Sequence, residues 1–225
     1  MEDNQNHITA DVGGNYVLCP PGNHIANCFA MITVGTVMES FQGKPPVPVK
    51  KLFIGFEITE KKHVFKEEKG EEPFIIWVEY LLSLNKKANL RKMIESWAGQ
   101  TYTDEQMKEF KLDSLIGASC YAMVIADKTK DGKDRSKIAA ISAVPEKIQI
   151  PEMINKPLLF VYKNPFDQAT FDRIPEWIQK KMKTSSEYAQ ALNGGIIPPA
   201  TTAGSNVPPP AEKKKGFPFP PTKPL

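Results

Sequence analysis

Hydrophobic and polar positions alternate most clearly over residues 51–58, "KLFIGFEI". Leu52, Ile54, Phe56 and Ile58 fall on one face of a strand, and Lys51, Phe53, Gly55 and Glu57 on the other. The same period of two runs through "PFIIWVEYLL". There Phe74, Ile76, Val78, Tyr80 and Leu82 share one face, and Ile75, Trp77, Glu79 and Leu81 the opposite one. Upstream, "CPPGNHIANCFAMITVGTVMESFQ" opens on a Pro-Pro-Gly turn and becomes apolar and β-branched around Ile32, Val34 and Val37, which predicts a strand ended by "GKPPVPV". The charged stretch "EKKHVFKEEKGEE" predicts a hairpin arm with an exposed tip between the second and third strands.

At Ala88 the period changes. Leu90, Ile94 and Trp97 stand at i, i+4 and i+7 and share one stripe of a helix. Asn89 is its expected cap, Arg91 and Glu95 an i, i+4 pair, and Gly99 its stop. "TDEQMKEF" predicts a second short helix, with Thr103 and Gln106 forming a capping box. Next, "SCYAMVIADKTKDGKDRSKIAAISAVP" predicts a hairpin turning at Asp131-Gly132, and "PLLFVYKN" an edge strand. "IPEWIQKKMKTSSEYAQAL" predicts one helix, with Pro175 near its first position.

Three strands, a helix and two strands make a mainly β chain in the order of a five-stranded OB-fold barrel, whose helix between strands 3 and 4 plugs the open end. Leu90, Ile94 and Trp97 would be the plug. The expected organisation is a flexible N-terminal arm (1–18), the OB-fold domain (19–165), a C-terminal helical segment (166–192) and a tail (193–225). The tail is proline-rich and has no periodic apolar face, so it cannot repay its own ordering entropy. It is expected to be disordered, with polyproline II tendency.

Composition adds little. A formal charge of +3 is too small by itself to establish a polyanion partner, so clustering must carry any such argument. The N-terminus is polar and acidic, unlike a secretory signal, and no apolar run approaches the ~20 residues of a spanning helix. Three cysteines without a CxxC pair fit a reducing compartment, hence the cytoplasm.

The blocks "PPGNHIANCFAMITVGT", "LFIGFEI", "SLNKKANLRKMIESWAG", "SAVPE" and "PEWIQKKM", in that order, resemble a family of phage-encoded proteins of replication and recombination modules. Members are often described as single-stranded-DNA-binding or left uncharacterised. The resemblance spans about residues 20–183 and implies an OB-like module handling DNA intermediates in a bacterial host's cytoplasm. Many single-stranded-DNA-binding proteins end in an acidic tip that recruits partners. This tail departs from that pattern: it carries Lys213, Lys214 and Lys215, with Glu212 as its one acidic residue.

Single-stranded DNA on such a barrel needs flat aromatic platforms and cations that follow the backbone. Phe53 and Trp77, on the face opposite the expected core, are the candidate platforms, with Tyr80 a third. Coverage of Phe53 and Trp77 by the N-terminal arm or the edge segment is the plain alternative. The candidate phosphate contacts are Lys128, Lys130, Lys133, Arg135 and Lys137 in the loop joining the last two strands, then Lys86, Lys87 and Arg91, then Lys50 and Lys51. No nucleophile–base pattern, P-loop or metal-ligand spacing stands out, Cys19, His24 and Cys28 lacking a fourth ligand. Neither catalysis nor a cofactor is expected. The function expected is DNA binding with little sequence preference, with replication or recombination proteins as further partners through the tail. The rival is a protein-interaction scaffold that uses the proline-rich tail as a partner ligand.

Overall fold

The computed structural model describes residues 17–129 and 131–193. The expected arm up to residue 16, Lys130 and the tail beyond 193 lie outside the described residues. Five long strands form one sheet: β1 (Gly22–Glu39), β2 (Val47–Lys66), β3 (Gly70–Leu81), β4 (Ser119–Lys128) and β5 (Asp134–Ser142). Their spatial order is β3-β2-β1-β4-β5, with every neighbouring pair antiparallel. The sheet curls strongly into a half-barrel. Its two edges, β3 and β5, come within 8 Å between Cα atoms without ladder hydrogen bonds. Helix α1 (Asn89–Ala98) packs against both edges, as a plug should.

The concave face holds the first core. Leu52, Ile54, Phe56 and Ile58 meet Phe74 and Ile76 of β3, Cys120, Ala122 and Val124 of β4, and Leu90, Ile94 and Trp97 of the helix. The alternation in 51–58 and 73–82 therefore translates directly into an inside and an outside. Local signals also hold at α1 and at α2 (Asp104–Glu109). Gly99 takes the left-handed conformation (φ 68°) that ends α1. Thr103 caps α2 in a reciprocal box, accepting from Gln106 N–H at 3.2 Å while its own N–H donates to the Gln106 side chain at 2.8 Å. The cap of α1 differs from expectation: Ala88 holds that position without a side-chain bond, and Asn89 is the first helical residue.

The convex face is where the expectation fails. After β5 the chain does not leave the barrel; it crosses the outside of β1 and β2. A short strand, β6 (Leu158–Phe160), pairs parallel with Ala30–Ile32, beyond the stretch of β1 taken by β4. Three helices follow: α3 (Gln168–Asp172), α4 (Glu176–Met182) and α5 (Ser186–Leu192). They bury a second core of Phe29, Ile32, Val34, Val37 and Phe53 under Phe160, Phe171, Ile174, Ile178 and Met182. The helical segment and the barrel thus share a core. The single helix expected from Pro175 onward is broken in two. Pro175 is the cap of α4 rather than its first residue, and Ser185 accepts from Tyr188 N–H at 3.2 Å to start α5 afresh.

Among the described residues no helix is long and apolar enough to cross a membrane. All three cysteines are buried free thiols. Burial pushes Cys28 up to about 12 and Cys19 to about 11, and holds Cys120 well above the usual thiol range. Thiolate, the reactive form, is therefore nearly absent at neutral pH. Native protein should resist iodoacetamide at pH 7.5, while urea-unfolded protein takes up three adducts by mass spectrometry. Labelling of Cys28 in the native state at the rate of a free thiol would contradict the packing.

Candidate nucleic-acid interface

The outer face of β2 and β3 carries the side chains opposite the first core. Moving along β2, it presents Glu57, Gly55, Phe53 and Lys51, paired in register with Ile75, Trp77 and Glu79 of β3 and, at Lys51, with Leu81. At Gly55 the missing side chain is required. A Cβ there would stand 2.8 Å from both Phe29 and the Trp77 ring, so Trp77 lies directly across the backbone. Trp77 is half-buried, edge-on to Phe29 with ring centres 5.4 Å apart.

Phe53 is not an open platform. It is 5% exposed, because α4 lays Trp177 edge-on against it at 5.1 Å and Lys181 above it at 6.0 Å. Lys51 is equally unavailable, being buried between two carboxylates: it pairs closely with Glu39 and lies 3.2 Å from Glu79. Lys181 bonds both acids from the other side, so two lysines and two glutamates form a closed, neutral cluster that fastens α4 to the sheet. Two further candidates are structural. Tyr80 points into the first core, and desolvation pushes its hydroxyl up to about 12. Arg91 is 3% exposed and donates to Glu95 at 3.0 Å, to Asp104 at 2.6 Å and to the Tyr102 carbonyl. Its guanidinium ties α1 to α2 and is buried away from a surface phosphate. The alternation already puts Tyr80 on the core face, whereas the losses of Phe53 and Lys51 depend on a segment far away in the chain, which no local pattern could foresee.

What the C-terminal segment covers, it also replaces. Trp177 is 51% exposed, the one tryptophan among the described residues that presents half its surface to solvent. Beside it α4 carries the exposed Lys180, 2.9 Å from Glu176, and Lys183 follows at the helix end. Lys50 is exposed as well, 3.8 Å from Glu187 of α5. Lys50 is a candidate from the sequence; Trp177, Lys180 and Lys183 were missed although a signal was present. Ile178 and Met182 form the buried stripe of α4, and helical geometry puts Trp177 off that stripe. A large aromatic off the apolar stripe of a basic helix is an accessible ring.

A second basic surface stands at the other end of β1. The β4–β5 hairpin projects past Gly22, which pairs with Val124. It carries Lys128, Lys133, Arg135 and Lys137, all exposed. Lys128 pairs with Asp134 at 2.7 Å, while Arg135 and Lys137 share Asp127 at 2.7 and 3.6 Å. Such solvent-exposed pairs are worth ~1 kcal/mol or less and yield readily to a phosphate. The same end holds the long β2–β3 arm, whose tip, Glu67–Lys69, is exposed as expected. Lys86 and Lys87 are exposed, with Lys86 3.3 Å from Asp104.

Among the described residues, Cys19, His24 and Cys28 do not form a group that could hold a metal ion. His24 bonds Glu60 at 2.9 Å and the Pro20 carbonyl at 2.8 Å, and Cys28 lies in the first core. Compared with known proteins, the chain has no match: no protein-family model, no curated protein and no solved structure is similar to it.

Proposed function

We propose that this protein binds single-stranded DNA with little sequence preference, across α4 where it overlies the outer face of β2 and β3, on an OB-fold barrel. The strand order and the helix α1 between β3 and β4 support an OB-fold reading, a fold that binds oligonucleotides on its strand 2–3 face and flanking loops; here α4 lies on that face. The observation that carries the reading is the half-exposed Trp177. Its ring lies edge-on to Phe53, and the same helix carries the exposed Lys180 one turn on, with Lys183 at its end. A flat aromatic surface beside mobile cations is what sequence-tolerant binding of bases and phosphates requires. The hairpin cations Lys128, Lys133, Arg135 and Lys137 extend the basic path. The resemblance to phage replication and recombination proteins supports a role in such DNA transactions.

Titration with a thirty-nucleotide strand at two salt concentrations tests this. Tryptophan fluorescence should be quenched, and Trp177→Ala should cost about 1–3 kcal/mol of binding, the scale of one stacked base, with little loss of stability. Neutralising Lys133, Arg135 and Lys137 should flatten the salt dependence by ~0.7 per lost contact. Trp177→Ala binding like the wild type would remove α4 from the site. No binding by the wild type at low salt would sink the reading, and the protein-interaction scaffold would take its place.

A further inference from the structure

The turn between β1 and β2 presents the most exposed large apolar side chain among the described residues, Phe41, at 69%. The turn is tightly built. Lys44 donates its N–H to the Phe41 carbonyl at 3.1 Å, across Gln42 and Gly43, which hold left-handed φ angles of 51° and 74°. Two left-handed central residues mark a type I′ hairpin turn, whose shape follows the twist of the flanking strands. Pro45 and Pro46 come next and restrict the backbone further. The Phe41 ring therefore stands out from a preorganised support, with the exposed Lys44 at the other corner of the same turn.

This turn adjoins α4. Lys181 of that helix bonds Glu39 at 3.3 Å, and Phe41 follows Glu39 by two residues. Trp177 precedes Lys181 by one helical turn and so shares its side of α4. Around the Lys181–Glu39 contact the outer surface is apolar and open. Val47, opposite Glu39 in the ladder, and Leu81, opposite Lys51, are each 53% exposed. Directly opposed residues lie on one face, so both stand on the side that carries α4. The acids of this region are already held by cations: Glu39 and Glu79 by Lys51 and Lys181, Glu176 by Lys180, and Glu187 by Lys50. Lys44 and Lys183 stand exposed beside them. Two open rings with aliphatic surface and cations around them match the base faces and phosphates of an unpaired strand. A duplex keeps its base faces inside the stack and cannot offer them to two rings on separate elements.

We propose that Phe41 is a second base-stacking platform and Lys44 its phosphate contact, so that one unpaired strand reaches from Trp177 past Leu81 and Val47 to the β1–β2 turn. The assignment rests on the single-stranded-DNA reading, and the test separates the two. A thirty-nucleotide strand is titrated at low salt into the full-length wild type, Phe41→Ala, Phe41→Leu and Phe41→Tyr. Phe41→Ala and Phe41→Leu should raise Kd roughly 5- to 150-fold, the loss of one stacked base, while Phe41→Tyr binds like the wild type. All three should melt with the wild type, because the side chain is exposed. Adding Trp177→Ala to Phe41→Ala should multiply the two single losses, as separate contacts do. Relative to Trp177→Phe alone, Phe41→Trp/Trp177→Phe should gain fluorescence that the strand quenches and a blunt duplex of the same sequence does not. Phe41→Ala binding as tightly as the wild type would overturn this proposal and leave Trp177 in place. Phe41→Leu binding as tightly as the wild type would overturn it too, since an apolar contact without stacking would then suffice. No binding by the wild type would overturn both readings at once.

Discussion

Trp97→Ala is expected to lower stability by about 3–5 kcal/mol, with a fall in melting temperature on the order of 10 °C. The ring is 1% exposed, sits 5.7 Å from Phe56 at the closed end of the half-barrel, and donates its N–H to the Ser119 carbonyl at 2.8 Å. Truncation would open a cavity and strip a buried carbonyl of its donor at the start of β4. Both losses act where α1 bridges the unpaired edges β3 and β5, so nothing nearby can close over the gap. Chemical denaturation measures the effect. The contrast with Trp177→Ala is the informative part: one tryptophan should change folding and the other binding. A Trp97→Ala protein that melts like the wild type would mean that α1 does not plug the barrel.

Glu57→Gln should cost about 2–4 kcal/mol, a large effect for the exchange of one oxygen for an amide group. Glu57 is fully buried on the convex face and serves only as an acceptor. One oxygen takes Ile154 N–H at 2.6 Å and the Thr59 hydroxyl at 2.8 Å; the other takes Asn155 N–H at 2.8 Å and the Asn155 amide at 2.7 Å. A glutamine must aim its own donors at two of these four, leaving one backbone N–H of the crossing segment unpaired. Asn27 extends the seam, donating to Thr59 at 3.0 Å and to the Pro151 carbonyl at 3.2 Å. The loss should therefore be local before it is global. Hydrogen exchange over residues 151–160 should accelerate more than exchange in α1. Equal acceleration in both regions would show that this seam does not fasten the segment independently.

The sequence by itself determined the elements and the concave core. Alternation at Leu52–Ile58 and Phe74–Leu82, the helical spacing of Leu90, Ile94 and Trp97, the Thr103 box and the Gly99 stop are short-range patterns. Each is enforced by backbone geometry within a few residues, so each reads directly from the chain. Only the tertiary structure decided the convex face and, with it, the site. Phe53 and Lys51 alternate as solvent-facing residues should, yet both are buried by a helix more than a hundred residues away. A pattern of period two states which residues share a face, not what comes to lie on it. The hint was the β1 stretch "FAMITV", apolar on both faces, which marks a strand covered on both sides. Arg91 follows the same logic: its i, i+4 partner Glu95 is local and legible, whereas Asp104 and the Tyr102 carbonyl reach it only once α2 folds back on α1. Accessibility belongs to the packed chain, because it is settled by burial between distant segments, and burial has no local period.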